Sequence, residues 1–166
     1  DLLGLEALFV EDAPVEMPGK AAISEAEIDR IADRVIQRLT TEVVEGSFIL
    51  KHGDKVFLTY SASGVDTTYA IGMLTANENS DLLDPASWTK NSYPLLNSES
   101  VPGEYGPGHN CYTLDNDGNL VNIYHTMPAG GGQRNVSARI VHWAADGTPV
   151  LDMIPEREIL PENRTV

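Results

Sequence analysis

The hydrophobic period of the chain changes once, near residue 42. Before that point, "ISEAEIDRIADRVIQRL" sets Ile28, Ile31, Ala32, Val35, Ile36 and Leu39 at the short, regular spacing of a helix. That spacing is one stripe of an amphipathic helix. Ser24 and Glu27 form the S-x-x-E pattern of a capping box at its start, and Arg34 and Arg38 suit the dipole at its end. A helix over about residues 24–39 is predicted within an N-terminal segment, residues 1–41. Its apolar stripe has to bury against its own domain or against another copy of the chain.

After residue 42 the period is two. "SFILK", "KVFLTYS", "YAIGMLTA" and "WTKNSYPLL" read as strands, broken at His52-Gly53-Asp54, Ser63-Gly64 and Asp84-Pro85. "NCYTL", "NLVNIYHT", "VSARIVHW" and "PVLDM" repeat the arrangement, with breaks at Asp117-Gly118, Gly130-Gly131-Gly132 and Asp146-Gly147. Gly53 and Gly118 each precede a second strand, and Tyr60 and Tyr124 recur at nearly the same separation. A four-stranded unit used twice is the signature of β-propeller blades, the alternative being two meanders of a sandwich. The expected fold is therefore mainly β: antiparallel four-stranded blades over about residues 45–97 and 105–154, within a region 42–154. A tail, residues 155–166, follows.

The repeat alters the reading of two side chains. Glu45 precedes the first strand of the first unit. His109 stands before the first strand of the second, at the separation that also relates Tyr60 to Tyr124. First strands of propeller blades line one channel, so equivalent positions face one axis. Glu45 and His109 are then expected to converge at one mouth, whereas either alone would read as a solvated glutamate or a structural histidine.

Composition excludes more than it selects. The chain has 166 residues, 42% apolar and 22% charged, with net charge −14 and pI near 4.4. Nucleic acid and anionic membranes call for a basic face, so neither is an expected partner. A neutral ligand such as a sugar is compatible. One cysteine, Cys111, rules out an internal disulfide and an all-cysteine metal cage, and it reads as a buried, inert residue. No apolar run approaches membrane-spanning length. The chain does not begin with Met and has no leader pattern. Its natural start is therefore expected to be missing, and the compartment stays open between the extracellular space and a bacterial cytoplasm. Trp88 and Trp143 read as packing residues, His52, His125 and His142 as structural or exposed, "DNDGN" as a hairpin turn and "PAGGGQ" as a loop without the helix a phosphate cradle needs.

"EGSFILKHGDKVFLTYSAS", "YAIGMLTANENSDLLDPASWTK", "YGPGHN" and "HWAADGTPVLDM" together resemble glycoside hydrolase family 43, over about residues 43–153. Within it they are most similar to the arabinofuranosidase, β-xylosidase and arabinanase members. The resemblance implies a five-bladed β-propeller, of which about two blades are present. It also implies inverting hydrolysis of arabinofuranosyl or xylosyl linkages in plant cell-wall oligo- or polysaccharide. Three carboxylates do this chemistry: an Asp as base, an Asp that tunes the acid, and a Glu as general acid, which Glu45 matches. Ser47 stands where the family often has proline. His109 in "GPGH" matches a channel histidine associated with calcium, no organic cofactor is implied, and Tyr105 and Arg139 are candidates to touch substrate. The two aspartates belong to blades that precede the Glu, and Asp12, Glu16 and Asp33 do not sit in a family motif. The chain is thus expected to be a portion of a larger propeller. The alternative is a non-catalytic carbohydrate-binding or oligomerising remnant.

Overall fold

The computed structural model describes Ser24, Ala26, Glu27, Arg30, Ile31 and residues 44–154. Most of the helix predicted over 24–39 lies outside these residues, as does the tail, 155–166. Within it, Ala26, Glu27, Arg30 and Ile31 have helical backbone. The Glu27 carboxylate accepts from the Ser24 amide at 3.0 Å and the Ser24 hydroxyl at 2.7 Å, the contact a capping box supplies.

From residue 44 the fold is antiparallel β. Strands β1 (Val44–His52), β2 (Lys55–Ala62), β3 (Ala70–Asn77) and β4 (Thr89–Lys90) form one sheet in that order. A short helical turn, Pro85–Ser87, precedes β4; the Asp84 carboxylate caps it by accepting from the Ala86 amide. Strands β5 (Tyr105–Leu114), β6 (Leu120–Met127) and β7 (Asn135–Ile140) form the second sheet. The turns that open β2 and β6 carry Gly53 and Gly118, both left-handed at φ 60° and 81°. In the second, the Asp115 carboxylate accepts from the amides of Asp117 and Asn119, so "DNDGN" is a hairpin turn held by its own side chain.

Among the described residues, the second sheet does not gain the fourth strand that the repeat predicted. Val141 keeps an amide bond to the Leu120 carbonyl at 2.8 Å, and the chain then leaves the sheet. β8 (His142–Trp143) pairs with β9 (Pro149–Val150) as a separate ribbon. Its packing explains the departure. Trp143 stacks on His52 with ring centroids 3.9 Å apart, Lys55 Nζ donates to the Asp146 carbonyl at 2.6 Å, and Leu151 is buried in the core. The ribbon is tied to the first sheet rather than to β7.

Alternation along β2 divides the interior in two. Val56, Leu58 and Tyr60 face a cluster with Leu74, Ala76, Trp88 and Ile31. Phe57, with Leu50, Ile71 and Met73, faces the second sheet and meets Tyr112 and Tyr124 there. Fully burying such side chains contributes roughly 1.5–3 kcal/mol each. The same interface holds buried polar groups: Thr59, Ser61, Asn110 and Asn122. Asn110 donates to Asn122 at 2.9 Å. The Tyr112 hydroxyl finds no partner of good geometry, although Thr59 and Asn110 lie close enough to favour its ionised form slightly.

Burial between the sheets pushes the Tyr112 phenol up from 10 to about 12. A pKa raised on folding supplies stability that is complete below the unfolded value and is lost as pH rises through 10 towards 12. Tyr112→Phe removes both this dependence and a buried hydroxyl without a partner. It should stabilise the chain by about 1 kcal/mol at neutral pH and shallow the loss at alkaline pH, as read by urea unfolding at several pH values. A clear destabilisation at neutral pH would mean that the hydroxyl is satisfied in solution.

Candidate active site

The two sheets bring Glu45 and His109 together, as the internal repeat predicted, although both lie within strands, β1 and β5, and not ahead of them. His109 Nδ1 lies 3.9 Å from Glu45 Oε1; the His109 side chain is largely exposed and that of Glu45 partly so. Each sits in a local irregularity. β1 is bulged between Glu45 and Phe48, and β5 is irregular between Tyr105 and Gly108 and again between Gly108 and Cys111. His109 has φ 49°, an uncommon conformation for a residue with a side chain. Its amide donates to Ser61 Oγ, a buried group of the first sheet, at 2.7 Å. Gly46, left-handed at φ 61°, lets the strands approach: a Cβ there would lie 3.1 Å from His109 Cα. Bulges of this kind re-aim side chains at a sheet edge.

Two further side chains complete the cluster. Tyr69, just before β3, is buried and donates its hydroxyl to Glu45 Oε1 at 2.6 Å. Its ring stacks on His125, centroids 5.5 Å apart and planes 15° apart. Burial, then the Glu45 carboxylate, pushes the Tyr69 phenol up to about 12, so it stays a donor across the neutral range. Burial also lowers the His125 imidazole, with Arg134 and His109 adding positive field. His125 is thereby held towards its neutral form. Sequence reasoning read His125 as structural and did not single out Tyr69 or Arg134. Tyr69 is separated from Glu45 by two turns and the whole of β2, and no local period encodes their meeting. The one available hint was that His125 occupies in β6 the place that Ser61 occupies in β2.

Arg139 makes a separate set of contacts. On β7, opposite Asn122, its Nη2 pairs with Glu104 Oε1 at 2.6 Å and its Nε donates to the Tyr124 hydroxyl at 2.8 Å. Tyr124 in turn donates to Glu104 Oε2 at 2.6 Å. Tyr105 is half-buried on β5, opposite Met127. Cys111, read as buried, is exposed on the outer face of β5, because its side chain points away from the inter-sheet core that holds Tyr112. Asp12, Glu16 and Asp33 lie outside the described residues. Among the described residues, the hydrogen bond and ion pair of Glu45 go to Tyr69 and His109, not to a second carboxylate.

As a calcium site the described residues fall short. Among them, no three His, Cys, Asp or Glu side chains converge. Ca²⁺ prefers about six to eight oxygen ligands, and an imidazole is not one. The described residues alone do not make a calcium cage.

Fold and site define a mainly β protein with a hydrogen-bonded carboxylate at the meeting of two antiparallel sheets. The family model for glycosyl hydrolases family 43 matches residues 13–149, and the chain belongs to that family. The match begins well before the resemblance read from the motifs, so much of the N-terminal segment set apart above falls within it. An extracellular exo-α-(1→5)-L-arabinofuranosidase of Streptomyces avermitilis is 44% identical over 117 residues, covering 65% of this chain and 24% of the relative. An α-L-arabinofuranosidase B of Pyricularia oryzae is 36% identical, covering 70% and 26%. The chain thus spans about a quarter of the length of these relatives. Among solved structures, an α-L-arabinofuranosidase from Lactobacillus brevis aligns with TM-score 0.57 and 39% identity, over 64% of this chain and 36% of that one.

Gly108 lies under the Tyr69 ring, where an added Cβ would meet Cε1 at 2.1 Å. Gly108→Ala therefore has to displace Tyr69 or bend β5, and should cost about 1–3 kcal/mol in urea unfolding. An unchanged midpoint would place the ring elsewhere in solution.

Proposed function

We propose that the chain is the part of an inverting arabinofuranosidase that carries the general acid, with Glu45 in that role. The observation that carries this reading is the hydrogen-bonded Glu45 carboxylate beside His109, at the position where the family motif has its catalytic Glu. The relatives named as arabinofuranosidases favour arabinofuranosyl over xylosyl linkages, and plant cell-wall polysaccharide as the source. Two of them are named extracellular, which favours that compartment. Glu45 would give its proton to the glycosidic oxygen as the bond to the anomeric carbon breaks. A base from outside the described residues would take a proton from the attacking water on the opposite face.

The propeller reading draws support from how the sheets stack. The Phe57 face of the first sheet packs on the Tyr112–Tyr124 face of the second. Shifted by the repeat, the matching face of the second sheet holds Val121, Ile123 and His125, beside Val136, Ala138 and Ile140. These side chains are exposed or half-buried. A further sheet of the same kind would cover them. Tyr105 and Arg139 remain proposed substrate contacts. Calcium remains proposed too, reached by His109 through water, with its other oxygens outside the described residues.

Full-length protein carrying this chain should hydrolyse aryl α-L-arabinofuranosides and arabino-oligosaccharides, and Glu45→Gln should slow the oligosaccharides by about 100-fold or more. The second reading, a binding module without catalysis, is favoured by the absence of a second carboxylate among the contacts of Glu45 within the described residues. It would be supported by heat on titration with arabino-oligosaccharide but no turnover. Chelation by EGTA should lower the melting temperature and added Ca²⁺ restore it; a melt indifferent to both would discard calcium.

A further inference from the structure

We propose that Tyr69 is the positioning residue of the general acid: it holds Oε1 of Glu45, so that the transferable proton rides on Oε2. The assignment rests on Glu45 acting as the acid. Among the described residues, the two contacts of the carboxylate fall on one oxygen. Tyr69 donates to Oε1 at 2.6 Å, and His109 Nδ1 lies 3.9 Å from the same atom, too far for a hydrogen bond. A phenol that donates to Oε1 leaves that oxygen as the carbonyl of the protonated acid. The proton is then confined to Oε2, which has no partner among the described residues.

The contact also favours the transition state over the ground state. As the proton passes from Oε2 to the glycosidic oxygen, the sugar–oxygen bond breaks and the leaving group departs as an alcohol. Water supplies the new hydroxyl and yields its own proton to the base. Glu45 ends as a carboxylate and regains its proton from solvent. Through this step Oε1 gains negative charge, and a neutral hydrogen bond becomes a charge-assisted one. Only an interaction that strengthens in this way accelerates the chemical step.

The surroundings fix the donor. Tyr69 is buried to 1% exposure, stacks on His125, and lies over Gly108 where no side chain could fit. Its raised phenol keeps the proton that it donates.

Two readouts test the assignment in full-length protein. The first is kinetic. Tyr69→Phe keeps the ring and loses the hydroxyl. It should lower kcat on arabino-oligosaccharides by about tenfold with KM nearly unchanged, and leave a dinitrophenyl arabinofuranoside, whose leaving group needs no proton, almost unaffected. An unaltered kcat, or an equal fall on both substrates, would overturn the proposal. Should Glu45→Gln itself leave oligosaccharide turnover unchanged, the general-acid reading falls, and this assignment with it. The second readout needs no turnover. Ultraviolet titration, with Tyr69→Phe as the difference reference, should find the Tyr69 phenol at about 12 in the wild type and lower in Glu45→Gln. A phenol that titrates alike in both would exclude the contact in solution.

Discussion

Everything at the site depends on two sheets being pressed face to face. Glu45 comes from the first sheet and His109 and His125 from the second, while Tyr69 enters β3 of the first. The apolar interface of Phe57, Ile71 and Met73 against Tyr112 and Tyr124 sets the distance between them. Hydrophobic burial is non-directional, so by itself it would allow the sheets to slide. The Ser61–His109 bond supplies direction across that interface, while the Asn110–Asn122 pair holds β5 to β6 within the second sheet. The first ties β5 to β2, and so helps determine which side chains meet at the open end.

The strands adjoining the site are bulged where a regular ladder would have aimed their side chains wrongly. Regular alternation from Tyr112 back along β5 would leave the segment before His109 in register with β6. The two irregularities between Tyr105 and Cys111 break that register. They let Gly108 slip beneath Tyr69 and turn His109 outward with a left-handed backbone. Such a conformation costs on the order of 1–3 kcal/mol, and here it is over-determined by the Ser61 bond and by the tight approach of Gly46. Local stability is given up to make a carboxylate and an imidazole neighbours.

Much of this was legible in the sequence, for a reason rooted in repetition. A repeated unit places like residues in like positions, so the pairs Gly53–Gly118, Tyr60–Tyr124 and Glu45–His109 could be matched without coordinates. Period-two strands also carried their own signal. Each strand of the structure overlaps a segment read from it, with β7 and β8 sharing "VSARIVHW". Three things were not legible. Tyr69 reaches Glu45 through tertiary packing that no period encodes. The Glu104–Arg139 pair joins a loop to an edge strand, and a lone arginine gives no sign of its partner. The β8–β9 ribbon leaves the second sheet because Trp143 finds a better surface on His52, a preference decided by contacts between distant parts of the chain.

The outer face of the second sheet joins the fold to the charge of the chain. Val136 is 80% exposed and Ile140 38%, beside half-buried Val121 and Ile123. An uncovered apolar face of this kind attracts its own copies. What opposes that attraction is the net charge of −14. The repulsion acts over about 8 Å at physiological ionic strength and less in stronger salt. The acidic balance, which said little about ligands, thus bears on this face: it sets a repulsion between copies that weakens as salt is raised.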